Sequence, residues 1–362
     1  MTKKLYILIG TRPNFIKVTR FKELSSKYNF DVKIIHTGQH FDDNMANVFF
    51  DQFDLRPDYF LNVGGLSPNS QVGQIILKLE ELFEEIGKPD FFMVPGDVNS
   101  TLAGAVAANK LNITLIHLES GLRSFDKKMP EEHNRIVADN LANICMVTEP
   151  SGLENIKDEN IQAKTYHVGN TMIDTLVKFE SKIEESPILE ELALIDKKYL
   201  LCTFHRPSNV DAESQLKKLT SLLMALTRKG KVVIPLHPRT RKMLMEFDML
   251  SELEENTDVI LSNPIGYFEF QKLIKYSQVV ITDSGGIQEE TTYRKVPCLT
   301  VRENTERPVT ITQGTNSLVK FEESEILRFV EKVELGNYKS GEVPKFWDGQ
   351  TTERIYEVLC EQ

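Results

Sequence analysis

Short apolar runs alternate with segments of helical period from one end of the chain to the other. In the first half, Leu5–Ile9, Val32–His36, Phe91–Pro95, Thr114–Leu118, Ile144–Val147 and Thr165–Val168 read as strands. Between them Val72, Ile75, Ile76, Leu79, Leu82, Phe83 and Ile86 recur at i, i+3, i+4, i+7 spacing, the stripe of an amphipathic helix. The alanine-rich Thr101–Lys110 predicts a helix packed closely on a sheet. In the second half, strands at Tyr199–Thr203, Val232–Leu236, Val259–Leu261, Val279–Thr282 and Cys298–Thr300 alternate with helices near Ala212–Arg228, Tyr267–Tyr276 and Ile287–Tyr293. Alternating βα units predict parallel sheets with helices on both faces. We read an α/β chain of two Rossmann-like doubly wound domains facing across a cleft, with ligands at the carboxyl ends of the strands. Residues 1–170 form the first domain and 171–350 the second, and the helical 351–362 returns to the first. Asn170–Lys198 has no strand pattern and a dense charge run at Glu180–Glu191, so it reads as the crossing, the charges as a solvated helix face.

Composition narrows the function. At 362 residues there is room for two cores, and 41% hydrophobic with 27% charged residues is ordinary for a globular protein. A net charge of −10 argues against a nucleic-acid partner. The apolar run after Met1-Thr2-Lys3-Lys4 is too short for a signal peptide or membrane span, so no membrane partner is expected. Cys145, Cys202, Cys298 and Cys360 lie far apart with no CxxC pair, which reads as buried thiols in the cytoplasm and no metal site.

The densest signal is Val279-Val280-Ile281-Thr282-Asp283-Ser284-Gly285-Gly286-Ile287-Gln288-Glu289-Glu290. A strand runs into a Ser-Gly-Gly turn and then a helix, whose first N–H groups are unpaired donors suited to phosphate. A bare Ser-Gly-Gly also serves as an ordinary strand-to-helix connection, and the polar run after it tips the reading toward a nucleotide sugar. Glu290, one turn on, is placed to accept from a sugar diol. After the first strand, Gly10-Thr11-Arg12-Pro13-Asn14-Phe15-Ile16-Lys17 puts Arg12 and Lys17 near a helix start, where they suit a diphosphate; alone, Lys17 is an ordinary helix surface residue.

Three acids stand at or near strand ends. Asp97 in Pro95-Gly96-Asp97 is a common helix cap, but its position favours a ligand contact. Glu119 lies beside a glycine turn in His117-Leu118-Glu119-Ser120-Gly121, which favours function. Glu131 in Met129-Pro130-Glu131-Glu132-His133-Asn134-Arg135 is equally explained by the helix dipole. Together they can divide acid and base roles, or bind Mg²⁺, though no Asp-x-Asp pair strengthens the metal reading. His205 and Arg206 follow a second-domain strand and suit charge stabilisation at a leaving phosphate. His237-Pro238-Arg239 repeats that layout. Arg302 and Arg307 suit either phosphate or a salt-bridge network, and Tyr267-Phe268-Glu269-Phe270 offers aromatic faces for a base, although such residues are usually core.

Nine motifs then stand in order: Gly-Thr-Arg-Pro-x-x-Ile-Lys at 10–17, Thr-Gly-Gln-His at 37–40, Gly-Asp at 96–97, His-x-Glu-x-Gly-Leu-Arg at 117–123, Pro-Glu-Glu-x-Asn-Arg at 130–135, Gly-Asn-Thr at 169–171, His-Arg at 205–206, Asp-Ser-Gly-Gly-Ile-Gln-Glu-Glu at 283–290 and Thr-Glu-Arg-Pro at 305–308. In these the chain resembles the non-hydrolysing UDP-N-acetylglucosamine 2-epimerases from residue 5 to about 320. The resemblance implies a glycosyltransferase-B type fold, a homodimer, no metal or redox cofactor, and interconversion of UDP-GlcNAc and UDP-ManNAc through 2-acetamidoglucal. It implies Asp97, Glu119 and Glu131 as acid/base carboxylates and His205 as catalytic histidine. Arg12 and Lys17 fall near the diphosphate, Ser284, Gly285 and Gly286 on the phosphate turn, Glu290 at the ribose and Phe270 beside the uracil. Members with an allosteric nucleotide-sugar site carry Gln-His-Arg-x-Met, where this chain has Gln39-His40-Phe41-Asp42-Asp43-Asn44-Met45. A short loop from Arg123 to Pro130, and Pro207-Ser208-Asn209 after His-Arg, are closer to relatives acting on modified sugars such as UDP-2,3-diacetamido-glucuronate. A glycosyltransferase shares the fold but needs no trio of acids.

Overall fold

The structure, a computed structural model, describes residues 2–38, 50 and 52–362. The chain divides into two compact units, Met1–Lys178 with Lys345–Gln362, and Phe179–Pro344. Residues 171–178 and 345–350, counted with the second domain from sequence, therefore belong to the first unit.

Among the described residues the first unit carries a parallel sheet of β1 (Lys3–Ile9), β2 (Phe30–His36), β3 (Tyr59–Phe60), β4 (Phe91–Pro95), β5 (Thr114–Ser120), β6 (Ile144–Val147) and β7 (Lys164–His167), ordered β3-β2-β1-β4-β5-β6-β7. The second carries β8 (Tyr199–Thr203), β9 (Lys231–Pro235), β10 (Val259–Ser262), β11 (Val279–Thr282), β12 (Cys298–Val301) and β13 (Asn316–Val319), ordered β10-β9-β8-β11-β12-β13. In each sheet the order reverses beside the first strand, between β1 and β4 and between β8 and β11. Ligands of doubly wound sheets bind at the carboxyl ends next to that switch.

Strand burial explains the apolar runs. In β8, Leu200 and Cys202 enter one buried cluster while Tyr199 and Leu201 enter another. Alternate side chains point to opposite faces, so a strand covered on both sides must be apolar throughout. The helix Pro68–Ile86 starts at Ser67, whose side chain accepts from the Ser70 N–H, and ends at Gly87 with φ 83°. Its Ile75, Leu79 and Phe83 are buried on the sheet, each worth about 1.5–3 kcal/mol.

Two strands escape the sequence pattern. β3 has only two residues, and Asn316-Ser317-Leu318-Val319 is not an apolar run; parallel pairing to β12, from Cys298↔Asn316 to Val301↔Val319, makes it a strand. The crossing is three short helices, Thr171–Lys178, Glu180–Glu185 and Ile188–Glu191. Its charge run is more than a solvated face: Glu180 pairs with Lys275 at 2.7 Å and with the buried Arg294 at 3.0 Å. The last helix, Thr351–Cys360, packs on the first unit, where Tyr356 donates to the Phe21 carbonyl at 2.5 Å and buried Asp174 accepts from the Thr351 and Thr352 N–H groups. Cys145, Cys202 and Cys298 are buried, and burial pushes all three thiols up. Cys360, expected to be buried, is exposed because it lies in the last turn of this terminal helix. Among the described residues no helix is long and apolar enough to cross a membrane.

Candidate active site

In the first unit the chemistry collects where β1, β4 and β5 end. Asn14 ties the first two together: its Oδ1 accepts from the Gly10 N–H at 3.3 Å and the Thr11 hydroxyl at 3.0 Å, and its Nδ2 donates to the Pro95 carbonyl at 3.1 Å. Gly96 follows with φ 67°, a conformation only glycine adopts without strain. A Cβ there would lie 3.1 Å from the Lys17 ammonium and 3.8 Å from Glu119 Oε2, so the backbone itself floors a tight cluster. Lys17, expected at a diphosphate, is buried and ion-paired with Glu119.

Glu119 is positioned by a backbone irregularity. The β5–β6 register slips between Leu118 and Ser120, and Glu119 has φ 70°. A bulge re-aims a side chain, and a non-glycine residue held there stores roughly 1–3 kcal/mol. Below it, His117 contacts buried Asp139 through Nδ1 at 2.6 Å and the Gly96 carbonyl through Nε2 at 2.7 Å. Asp139 also accepts from Arg123 at 2.7 Å and from the Gly121 N–H. Burial opposes its ionisation, but His117 and Arg123 outweigh that and hold the carboxyl below its ordinary range.

Asp97 is about a quarter exposed and pairs with Arg135, whose other amino group holds the buried Glu132. Glu132 in turn accepts from the Ser124 N–H and hydroxyl, both at 2.9 Å, and the Phe125 N–H at 2.8 Å. Burial raises the Glu132 carboxyl, and these donors with Arg135 lower it further than that. Glu131 is exposed in the first turn of helix Pro130–Leu141. The structure thus gathers Asp97 and Glu119 around Gly96, and sets Glu131 on the neighbouring helix. Arg12 is exposed at the start of the short helix Arg12–Ile16.

In the second unit the site is built on donors. Ser284 caps helix Gly285–Arg294 without using its hydroxyl on the helix N–H groups. A Cβ on Gly285 would lie 2.9 Å from Glu306 Oε1 and 3.0 Å from Arg307 Nη1, so the turn and the Arg307 guanidinium adjoin. Arg307 is buried, held by Glu289 at 2.9 Å and by Glu306, and Glu290 is buried one turn along the helix. Helix N–H groups beside an oriented guanidinium are an anion site. His205, at the end of β8, meets Asp283 through Nδ1 at 2.9 Å, and the neighbouring Arg206 gives its N–H to the same carboxylate at 2.9 Å. Of the aromatic run, Tyr267 and Phe268 are buried, Phe268 packing on Phe179 at 5.4 Å, while Phe270 is half-buried.

Sequence reasoning passed over Arg135 and Asp283. Both stand inside quoted motifs, four residues after Glu131 and directly before Ser284, so position was the available signal. Gln39, His40 and the run to Met45 lie outside the described residues. Among the described residues no group of three or more His, Cys, Asp or Glu side chains is arranged to hold a metal ion.

A family profile described as UDP-N-acetylglucosamine 2-epimerase matches residues 22–360. The chain belongs to that family. A UDP-N-acetylglucosamine 2-epimerase of Methanococcus maripaludis is 42% identical to this epimerase-family chain over 340 residues, 91% of each. The UDP-2,3-diacetamido-2,3-dideoxy-D-glucuronate 2-epimerase of Pseudomonas aeruginosa is 36% identical over 99% of each. Among solved structures, the Methanocaldococcus jannaschii UDP-GlcNAc 2-epimerase in complex with UDP-GlcNAc and UDP superposes with a TM-score of 0.89 at 36% identity, covering 99% of this chain and all of that one. The epimerase fold is therefore α/β with two parallel sheets, of glycosyltransferase-B type.

Proposed function

We propose that this chain is a UDP-N-acetylglucosamine 2-epimerase, an isomerase interconverting UDP-GlcNAc and UDP-ManNAc for cell-surface polysaccharide precursors. The reading rests on one observation: a match along nearly the whole chain to this family, in a fold whose two sheets carry acids on one carboxyl edge and an anion turn on the other.

The C2 proton of an acetamido sugar is not acidic, so direct removal from the intact ring is prohibitive. Elimination avoids this. A carboxylate takes the C2 proton, the C1–O bond breaks with its electron pair leaving on the UDP β-phosphate, and C1=C2 forms. The planar C2 of 2-acetamidoglucal then receives a proton on its opposite face as UDP adds back to C1. The cycle is redox-neutral. Two faces require more than one acid, and Asp97, Glu119 and Glu131 fill that need. Each of two acids meets a buried cation, Lys17 on Glu119 and Arg135 on Asp97. Ser284, Gly285, Gly286 and Arg307 take the diphosphate, with Arg12 and Arg206 as further cations and His205 at the departing oxygen. Glu290 takes the ribose and Phe270 the uracil. We place the enzyme in the cytoplasm as a homodimer, in keeping with the scattered cysteines and the family resemblance.

A second reading keeps the chemistry and changes the sugar to UDP-2,3-diacetamido-glucuronate, favoured by the Pseudomonas relative. A glycosyltransferase reading loses its footing once the family match runs from residue 22 to 360. The test is an NMR assay in D₂O with the two UDP-sugars side by side. UDP-ManNAc carrying deuterium at C2 is the expected product, exchange only with the uronate selects the second reading, and no exchange with either removes both.

A further inference from the structure

We propose that Asp283 is a positioning residue that locks His205 in its Nδ1–H tautomer and ties that imidazole to the diphosphate turn. This rests on the reading of His205 as the group at the departing phosphate.

Asp283 directly follows β11 and is completely buried. A carboxylate accepts only, and this one is met by donors on every side. The His205 N–H reaches its oxygens at 3.2 and 3.1 Å, the Arg206 N–H at 2.9 Å, Asn209 Nδ2 at 3.1 Å and His205 Nδ1 at 2.9 Å. Burial works against its ionisation, but His205, Arg206 and Asn209 together hold the carboxyl below its ordinary range. Facing such an acceptor, Nδ1 must carry hydrogen. The other nitrogen, Nε2, is then the one that gains or loses a proton, on a ring whose side chain is 40% exposed.

That nitrogen is the useful one. When UDP departs, an imidazolium Nε2–H gives its proton to the oxygen that leaves C1, and the neutral ring keeps Nδ1–H on Asp283. On re-addition the proton returns to Nε2. Without the carboxylate, neutral histidine favours no fixed tautomer and a fraction of molecules meets the phosphate with the wrong nitrogen. His237, 5.5 Å away ring to ring, is no substitute, because its Nδ1 accepts from the Arg239 N–H at 3.2 Å; burial, then His205 and Arg239, push its pKa down.

The same residue joins two parts of the site. Asp283 directly precedes Ser284, and one register step below, Thr203 and Thr282 share a hydrogen bond at 2.6 Å across β8 and β11. A mere tether for the loop after β8 needs only the backbone and Asn209 contacts. The Nδ1 contact goes beyond that.

The experiment uses the full chain labelled with ¹⁵N-histidine, read by imidazole NMR, with C2 exchange in D₂O and UDP titration alongside. In the unaltered protein His205 is expected as Nδ1–H; finding Nε2–H overturns the proposal whatever any variant does. Asp283→Asn is expected to shift the tautomer and to lower turnover roughly a hundredfold or more, with UDP affinity within about threefold. Asn209→Ala, which loses another bond to the same carboxylate, is expected to keep Nδ1–H; a shift equal to that of Asp283→Asn means the loop tether alone matters and overturns the lock. His205→Gln separates the two claims. If it retains full turnover, the catalytic reading of His205 falls while the tautomer still reports on Asp283. If it is inactive and Asp283→Asn keeps both tautomer and rate, the lock alone is wrong.

Discussion

The two units have the same strand order around their switch points and opposite chemistry on their carboxyl edges. In the first, four acids near the switch meet buried basic partners, Lys17 on Glu119, Arg135 on Asp97 and Glu132, Arg123 with His117 on Asp139, while Glu131 is exposed. In the second, the turn after β11 presents helix N–H groups beside Arg307, and a histidine braced by Asp283. One scaffold thus serves two needs. Moving a proton at carbon requires carboxylates kept ionised in a place that disfavours charge, and holding a diphosphate requires fixed donors. The difference predicts that damage to the first unit's acids, like damage to the His205–Asp283 pair, falls on turnover, and damage to the diphosphate turn with Arg307 on UDP affinity.

The strongest challenge to that division comes from the acids. Asp97→Asn and Glu119→Gln should each lower C2 exchange in D₂O by roughly 10²- to 10⁴-fold with UDP titrations little changed; a variant that loses UDP instead ends the division. Next comes the ion-pair scaffold. Asp139→Asn leaves His117 and Arg123 without their shared partner, and breaking such a buried pair costs on the order of 3–5 kcal/mol, measurable by denaturant unfolding. Its pH dependence follows from direction alone. Asp139 titrates lower in the folded than the unfolded chain, so its contribution is complete above the ordinary aspartate value of about 3.9 and drains away as pH falls through the lowered one. Asp283 shifts the same way, so both units should weaken in acid, and Asp139→Asn should flatten only part of that limb.

Smaller effects sharpen the contrast. Gly285→Ala forces Glu306 and Arg307 to move, and loss of one charge-assisted bond to the diphosphate should raise the UDP Kd about tenfold or more while the bound sugar still exchanges. Smallest of all is the stability change in Glu131→Gln. The residue is exposed, so its thermal unfolding should stay within about 0.5 kcal/mol of the unaltered chain, even as turnover falls. A large stability loss there means Glu131 carries structure and not chemistry.

Local patterns made most of the architecture legible. Phe91–Pro95, Ile144–Val147, Tyr199–Thr203 and Val279–Thr282 are strands with the bounds that their apolar runs suggest. The strand-turn-helix at 279–294 was legible too, though its helix runs from Gly285 to Arg294, wider than the Ile287–Tyr293 of the pattern, because a turn and a helix start need only neighbours in sequence. β13 was hidden for the opposite reason: Asn316 and Ser317 are strand residues only because β12 lies alongside. Glu119 was visible as an acid at a strand end, but the bulge that aims it arises from pairing with β6.

Sequence alone determined the kind of elements, their alternation and the placing of acids, glycines and histidines at strand ends, since hydrophobic period and turn chemistry act over a few residues. Only the tertiary structure decided which charge answers which. Arg135 reaches Asp97 across 38 residues and His205 reaches Asp283 across 78 because parallel crossovers set β4 beside β5 and β8 beside β11. Buried charges must find partners, and the sheet order chooses them.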